Sequence, residues 1–559
     1  MKKETLKKIE YLAATLIVLA VLAVCVYQLR FGIDVQDTAS YLTKFRYFFE
    51  KGTGGNAFYY HLGEFFGSLI YHVFPSLYAL NVAGLIVWSL TGLLIYRVMK
   101  PYLSTLPLMA VVAGGVAFSA SWVRCVNWNA WSMLFLTVGM LFLLNGFDTE
   151  KKKWFYAAGL ILGWNTFTRV PNIIFLGLVV VVFYYYIGES LKKAFGHCVE
   201  MTIGGAIAGI TGCIFSILFL GFDKFLADIQ WLMGSTGDSE SKHNIFDMIA
   251  QVAIGAMDGA RQWIKYGVVI GAVIVICLLI RKISKKDVTL YGVMIAAVAA
   301  VLLGFTRDVS TSSQPTLISV QNFIAYGGVG FGIFGAVWFY KSDKRFASIC
   351  LMEALAMLFM TIGTDTGSIF FRVYMALPAA VIGAVLWKLP MKELRIMAVF
   401  AVVLALATGQ NCNQNYVYHD GERGEAMNST INSEVFEGVY TTAERAEYIN
   451  RLIELLAPYD DKELLTIGAF NIGHNVTNMK TFFDSAWSDL DYLSMDEFNT
   501  VLETKLSEGN VPVIVIATEE INGPYWVPEK IEILEELVQT ELFECIHSDE
   551  WYAVYVPVE

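Results

Sequence analysis

Residues 9–41 read IEYLAATLIVLAVLAVCVYQLRFGIDVQDTASY, and this stretch decides the class of the chain. Its first part, 9–29, is apolar and long enough to cross a bilayer, which takes about 20 residues in a helix. Two carboxylates, Asp34 and Asp37, follow directly. Acidic side chains beside a membrane are costly to desolvate, so a chain that places two of them there usually uses them. Asp is a favoured N-cap residue, so capping of a helix beginning near Thr38 explains one of the two.

The composition is that of a membrane protein. Hydrophobic residues make up 56% of the chain and charged residues 16%, which a soluble protein of this length would not tolerate. We predict an α-helical polytopic membrane protein with about 13 spans, most uncertain in number around 153–188. The predicted spans lie near 9–29, 77–99, 104–121, 130–147, 153–168, 171–188, 199–220, 264–280, 288–305, 321–340, 346–363, 369–387 and 394–409.

Charge sets the predicted orientation. Lys and Arg are concentrated in every second loop, and positive loops stay in the cytoplasm, so we expect a cytoplasmic N-terminus. An odd number of spans then places everything after residue 410 outside. The first outer loop, 30–76, contains two segments that we interpret as helices lying in the membrane interface, 38–50 and 57–74. Counting the second of these as a span would invert every later loop.

Residues 411–559 form the second predicted domain, after a transmembrane domain over 1–410. This part has 29 acidic and 7 basic residues, a net charge of −22. Apolar runs alternate with amphipathic segments, which is typical of a small α/β domain. The predicted strands are Leu464–Gly468, Val511–Ala517 and Trp551–Val556, and the predicted helices are Thr442–Leu456, Met495–Leu506 and Pro528–Gln539.

Polar residues recur at the predicted outer ends of the spans. The set comprises Arg124, Asn127, Asn129, Arg169, Asn172, Arg307, Asp308, Asp365 and Arg372. With Asp34, Asp37, Lys44 and Arg46 they would surround one outward-facing cavity if the helices form a bundle. Arginines at span ends also often extend only to lipid headgroups. As a set, these residues suit a reaction in which a lipid phosphate is displaced from a sugar. A carboxylate would accept the proton, and guanidiniums would bind the phosphate.

The stretch Asp37-Thr-Ala-Ser-Tyr41 resembles the acidic motif D-E-x-x-Y that follows the first span in GT-C integral-membrane glycosyltransferases. Further similarity lies in Phe58-Tyr-Tyr-His61-Leu, Trp128-Asn129-Ala-Trp131, Gly163–Asn172 and Arg372–Pro378, and covers roughly residues 8–390. The resemblance implies Asp37 as the catalytic base, with Asp34 in place of the missing acidic neighbour. It implies Arg372 and Arg169 as ligands of the donor phosphate. The cations of the predicted cavity add Arg307, Lys44 and Arg46 to these ligands, and Tyr41, Asn129 and His61 are the predicted substrate-positioning residues.

The resemblance implies an enzyme that moves a sugar from a polyprenyl-phosphate lipid to an extracytoplasmic hydroxyl of a glycan, lipid or protein. Such a donor needs no nucleotide-binding fold, and the sequence shows no metal-ligand spacing and no nucleic-acid partner. The sequence identifies no definite cofactor, and a divalent metal stays open because Thr38 replaces an acidic motif residue. Alternatives are a lipid-linked-oligosaccharide polymerase or ligase, using the outer loop 221–262, and a transporter or flippase, using Glu353. A non-catalytic assembly or sensing protein is a third alternative.

Overall fold

The structure of the protein is a computed structural model. It describes residues 2–50, 53–121, 123–237, 245–285, 314–362, 367–389, 402–403, 405–406, 416–417, 420–422, 427–468, 470–490, 493–518 and 526–558. Several features predicted from the sequence lie outside the described residues. These are the span near 288–305, most of the span near 394–409, and Arg307, Asp308 and Asp365.

The chain is mostly helical, as the sequence predicts. The helices of the N-terminal part are α1 Lys2–Gln28, α2 Asp37–Tyr47, α3 His61–Val73, α4 Leu77–Met99, α5 Thr105–Ala120, α6 Trp128–Thr149, α7 Lys152–Asn165, α8 Val179–Tyr186, α9 Leu191–Leu220, α10 Phe222–Gly237, α11 Ile245–Ser284, α12 Gln314–Phe339, α13 Lys344–Met360 and α14 Ala376–Lys388. Short 3-10 helices span Phe58–Tyr60, Val170–Leu178 and Gly367–Tyr374.

Five helices of the described residues are long and apolar enough to cross a membrane. They are Lys7–Gln28, Leu77–Met99, Trp128–Thr149, Leu191–Leu220 and Val320–Phe339. Shorter apolar helices lie at Thr105–Ala120, Val170–Tyr186 and Ala376–Lys388. The chain is therefore a membrane protein, and the count of about 13 spans stays a prediction.

Small residues let neighbouring helices approach closely in this bundle, as is usual in membranes. A Cβ at Gly159 of α7 would collide with the carbonyl oxygen of Met201 on α9, and one at Gly204 would collide with that of Tyr156. These two glycines bring the backbones of α7 and α9 into direct contact. Helix α7 ends at Asn165, and the chain continues from there to Arg169.

Helix α2 is buried on nearly all sides. Its buried residues are Thr38, Ala39, Ser40, Leu42, Thr43, Phe45 and Tyr47. On one side Phe45 packs against Gly67 of α3, where any larger side chain would collide with the ring. On the other side α2 contacts the C-terminal region, residues 416–558. The two segments interpreted as interfacial helices are thus α2 and α3, and α2 lies between the bundle and the C-terminal region.

The C-terminal region contains a mixed sheet of four described strands, β3 Leu464–Ile467, β4 Val513–Ala517, β5 Phe543–Ser548 and β6 Tyr552–Pro557. Their order is β3-β4-β6-β5, with β3 and β4 parallel and the other pairs antiparallel. A two-stranded hairpin, β1 Tyr416–Val417 and β2 Gly421–Glu422, precedes it. The helices are α15 Ala443–Leu456, α16 Gly473–Val476, α17 Met495–Ser507 and α18 Pro528–Leu537. Strands β3, β4 and β6 overlap predicted segments, whereas β1, β2 and β5 were not predicted from the sequence. That the region is a separate α/β domain stays a prediction.

Candidate functional site

The two aspartates after the first helix have different surroundings. Asp34 is 6% exposed. Its carboxylate oxygens accept hydrogen bonds from the backbone N–H groups of Gln36, at 3.0 Å, and Thr38, at 2.8 Å. These donors belong to the start of α2, where N–H groups have no partner within the helix. Asp34 therefore caps α2 with both of its carboxylate oxygens.

Asp37 is the first residue of α2 and is only partly buried. Tyr41 lies one turn further along the same helix. Desolvation raises the pKa of the Tyr41 hydroxyl well above its usual value, and the negative charge of Asp37 adds to this effect. The same hydroxyl is hydrogen-bonded by the Trp128 side chain at the start of α6. The Asp37 carboxylate thus lies near a neutral, hydrogen-bonded phenol.

Four aromatic rings form a continuous row that ends at this point. Tyr60 stacks on Trp128 with ring centroids 5.1 Å apart and an angle of 17° between the planes. Tyr59 lies 4.9 Å from Tyr60, and Trp231 of α10 lies 5.3 Å from Tyr59. All four side chains are half-buried. We call Trp231, Tyr59, Tyr60 and Trp128 the aromatic row.

Two cations lie against the same pair of rings. The guanidinium carbon of Arg169 is 5.2 Å from the centre of the Trp128 ring, and Lys44 Nζ is 5.6 Å from that of Tyr60. Such cation–π contacts stabilise a charge by about 0.5–2 kcal/mol, more as water is excluded. Arg169 is 5% exposed and precedes a 3-10 helix with Pro171 in its first turn. The structure therefore brings Asp37, Tyr41, Lys44 and Arg169 together.

Lys44 has a buried partner that the sequence analysis did not assign to the site. Its Nζ lies 2.9 Å from Glu64 Oε1, and the side chains are 13% and 3% exposed. Burial raises the pKa of the Glu64 carboxyl, and the charge of Lys44 opposes that shift. The signal in the sequence was a single carboxylate within the aromatic segment 57–74.

The 3-10 helix that carries Tyr59 and Tyr60 is held by a second carboxylate. Asp228 of α10 accepts a hydrogen bond from the Phe58 N–H at 2.8 Å. Lys224, also on α10, lies 3.8 Å from Asp228 and 3.1 Å from Asp484 of the C-terminal region. Helix α10 therefore joins the aromatic row to the C-terminal region through charged contacts.

Arg46, which the sequence assigns to the site, binds the C-terminal region instead of lying beside Lys44. Arg46 donates hydrogen bonds to the carbonyl oxygens of His474, at 3.2 Å, and Thr477, at 2.7 Å, and to Asn478 Oδ1, at 2.8 Å. It binds the C-terminal region because side chains two positions apart on a helix, such as Lys44 and Arg46, point in different directions.

His61 is fully buried at the start of α3. The rings of Phe48, Phe215 and Phe219 surround it at 4.8, 5.3 and 6.0 Å. Burial lowers the pKa of the imidazole to about 3, so the ring is neutral, and neither nitrogen has a hydrogen-bond partner among the described residues. His61 thus packs as an apolar residue beside the site.

The remaining predicted residues are buried in the bundle. Asn129 is 4% exposed, and its backbone N–H is bound by the cap residue Asn127 at 3.0 Å. Arg372 is 4% exposed, in the 3-10 helix Gly367–Tyr374, which packs against α5 and α6. Within the described ranges, no group of three or more His, Cys, Asp or Glu side chains is arranged to hold a metal ion.

Solved structures similar to this chain come from two kinds of enzyme. ArnT from Cupriavidus metallidurans aligns over 97% of both chains with 13% identity and a TM-score of 0.43. The same enzyme bound to undecaprenyl phosphate aligns with 12% identity and a TM-score of 0.43. The oligosaccharyltransferase of Archaeoglobus fulgidus, in complex with Zn and sulfate, aligns with 10% identity over 90% of this chain and 68% of its own, with a TM-score of 0.47.

Both neighbours are GT-C membrane glycosyltransferases. No protein-family model and no curated protein sequence matches the chain.

The ion pair of Lys44 and Glu64 generates a stability prediction. Glu64→Gln should lower the stability of the folded protein by roughly 3 kcal/mol, because it leaves the Lys44 ammonium buried without its partner. The measurement is thermal unfolding in detergent. Lys480→Ala is the control, since it removes an ion pair with Glu50 whose side chains are 56% and 47% exposed. Equal melting temperatures for Glu64→Gln and wild type would contradict the assignment.

Proposed function

We propose that this chain is a membrane glycosyltransferase that moves a sugar from a polyprenyl-phosphate donor to a hydroxyl group on the extracytoplasmic side. The observation that carries the proposal is one cluster. Asp37 lies in the first turn of α2 beside Tyr41 and Trp128, and Lys44 and Arg169 lie against Trp128 and its stacking partner Tyr60. A proton acceptor and two cations beside partly exposed aromatic rings fit a sugar joined to a lipid phosphate.

In the proposed reaction Asp37 acts as the general base. Its carboxylate removes the proton of the acceptor hydroxyl as the oxygen attacks the anomeric carbon of the sugar. The bond between that carbon and the phosphate oxygen breaks, and polyprenyl phosphate leaves with the electron pair. The proton ends on Asp37. Asp34 has no direct part in these steps, because its two oxygens bind the backbone of the loop and of α2.

Arg169 is the residue that we assign first to the leaving phosphate. A guanidinium binds two phosphate oxygens at once and stays charged, and the cation–π contact with Trp128 restrains its position. Lys44 adds a second positive charge, balanced by Glu64 in the absence of ligand. Arg372 stays a candidate on a separate element. We assign the aromatic row to the sugar and the first part of the lipid.

The proposal also retains the expected placement of the chain. We propose a cytoplasmic N-terminus, an extracytoplasmic C-terminal region, and catalysis that requires no metal ion. The acceptor is a glycan, a lipid or a protein. Because a base and a phosphate-binding arginine are sufficient for the displacement, transfer should continue in the presence of a metal chelator.

The two aspartates provide a matched test of the base. Asp37→Asn should lower the transfer rate by about 10²- to 10⁴-fold, because an amide does not accept the proton. Asp34→Asn should lower the rate much less, because its amide oxygen still accepts a hydrogen bond from one of the two backbone N–H groups that Asp34 binds. The rate is measured as undecaprenyl phosphate released from a panel of undecaprenyl-phosphate monosaccharides, with membrane extract supplying acceptors. Similar rates for the two variants would refute the assignment.

The phosphate assignment predicts a difference between two cations of equal charge. Arg169→Lys should weaken binding of undecaprenyl phosphate by about tenfold or more, because an ammonium neither forms the two-pronged contact nor stacks on Trp128 as a plane. Binding is measured by titration of the purified protein in detergent. Arg97→Lys, in the last turn of α4, is the control. An unchanged dissociation constant for Arg169→Lys would show that the phosphate binds elsewhere.

Glu353 is the observation that favours a transporter as the second candidate function. It is fully buried in α13. Gly328 and Gly332 of α12 approach its carboxyl group so closely that a Cβ at either position would collide with it. Neither carboxyl oxygen has a hydrogen-bond partner in the described part of the chain. Ionisable groups at this depth often mark transport pathways.

A single substitution separates the two functions. Glu353→Gln preserves the size of the side chain and removes its ability to carry a proton. A transferase that works at Asp37 should keep its rate of undecaprenyl phosphate release in this variant. A transporter that moves a proton or a cation through the bundle should release no undecaprenyl phosphate even as wild type. Its transport activity in vesicles, and not a transfer rate, should be lost in Glu353→Gln.

A further inference from the structure

We propose that Asp420 and Asn475 of the C-terminal region are positioning residues for the transfer reaction, holding the backbone on both sides of Asp37. The inference rests on the proposed role of Asp37 and extends it. Each residue acts through the main chain of the segment Arg30–Ala39.

Asp420 fixes the segment before Asp37. Its Oδ2 accepts a hydrogen bond from the Ile33 N–H at 2.7 Å. The carboxylate is itself held by the Thr441 hydroxyl, at 2.9 and 3.0 Å, and by Arg445 Nε, at 2.9 Å. Arg445 also donates to the carbonyl oxygen of Ile33 at 3.2 Å. Both polar backbone groups of Ile33 are therefore bound by one ion pair of the C-terminal region.

The ion pair between Asp420 and Arg445 is largely buried. The Asp420 side chain is completely buried, and Arg445 is 20% exposed. Burial raises the pKa of Asp420 to about 6, and the negative charge of Asp34 adds to the rise. The charge of Arg445 and the hydrogen bonds from Ile33 and Thr441 oppose it. At neutral pH the carboxylate is ionised and paired with Arg445.

Main-chain bonds tie the same segment along its length. The Gly32 N–H donates to the Tyr440 carbonyl at 2.8 Å, and the Tyr440 N–H donates to the Arg30 carbonyl at 2.7 Å. The Asn471 N–H donates to the Val35 carbonyl at 2.9 Å. The chain that leads into Asp37 is thus paired with the C-terminal region much as one strand pairs with another.

Asn475 holds the backbone after Asp37. Its Nδ2 donates to the Ala39 carbonyl at 2.8 Å, and its Oδ1 accepts from the Thr43 hydroxyl at 3.5 Å. Asn475 is 2% exposed, so water does not replace these bonds. Ala39 is two residues beyond Asp37. The direction of the Asp37 side chain is therefore set between Ile33 and Ala39, which are both bound to the C-terminal region.

The proposal predicts a specific kinetic pattern. Asn475→Ala and Asp420→Asn should each lower kcat by about 10- to 100-fold, because a small displacement of the base costs that much in rate. The KM for the donor and the affinity for undecaprenyl phosphate should change by less than about twofold, because Arg169 and the aromatic row stay in place. The full-length protein is assayed in detergent well below the melting temperature of each variant.

Lys480→Ala is the matched control. Lys480 bridges the same two parts of the protein by its ion pair with Glu50, but beyond the C-terminal end of α2 and exposed to solvent. It should keep the wild-type kcat. Asn475→Asp, which retains the size but loses the donor, provides a second variant and should behave like Asn475→Ala.

Three results would overturn the inference. The first is a wild-type kcat in both Asn475→Ala and Asp420→Asn, and the second is a loss of kcat in Lys480→Ala as large as in those variants. The third is a rise in the donor KM of the Asn475 and Asp420 variants that accounts for their loss of activity. Asp37→Asn is measured in parallel. If that variant keeps its activity, the proposed function itself has failed. If it is inactive while the Asn475 and Asp420 variants are normal, only the positioning role is wrong.

Discussion

A buried helix that begins with polar residues needs hydrogen-bond partners for the backbone at its start, and this requirement governs the region around α2. Water is excluded because the bundle covers one side of α2 and the C-terminal region covers the other. Asp34 supplies acceptors for the free N–H groups, and Asp420, Asn471 and Asn475 supply the remaining partners from far along the chain. Unpaired backbone groups in such a place would be costly, so the loop has few alternative conformations.

Because of this requirement, Asp34 and Asp37 have different surroundings although they are only three residues apart. Asp34 precedes the helix and turns back onto its N–H groups. Asp37 is already inside the first turn, so its side chain projects outward near Tyr41. The neighbouring cations, Lys44 and Arg169, lie on aromatic faces and are largely shielded from water. Charges interact more strongly in such surroundings than in bulk solvent, which favours a reaction that develops negative charge on a phosphate.

Local sequence patterns predicted much of this architecture. Apolar runs located the long helices, period-two and amphipathic patterns located β3, β4, β6 and the helices of the C-terminal region, and the position after α1 singled out Asp37. These features depend on residues close together in the chain. The membrane orientation and the number of spans remain predictions.

The details of the site depend on contacts between distant segments. Lys44 and Arg46 look equivalent in sequence, but only the folded chain shows that one meets Glu64 and the other meets His474 and Thr477. The sequence predicts His61 as a polar site residue, but in the structure the rings of three phenylalanines surround it. Asp420 had no local signal at all, since its partners are Ile33, Thr441 and Arg445.

The central claim is that a lipid phosphate binds beside Asp37, at the end of the bundle that faces the C-terminal region. An experimental structure of the protein with undecaprenyl phosphate tests it most directly. The account predicts phosphate oxygens within about 3 Å of the Arg169 guanidinium, with the lipid running along the aromatic row. A phosphate bound instead among the cations at the opposite end, near Lys344 and Arg345, would contradict it.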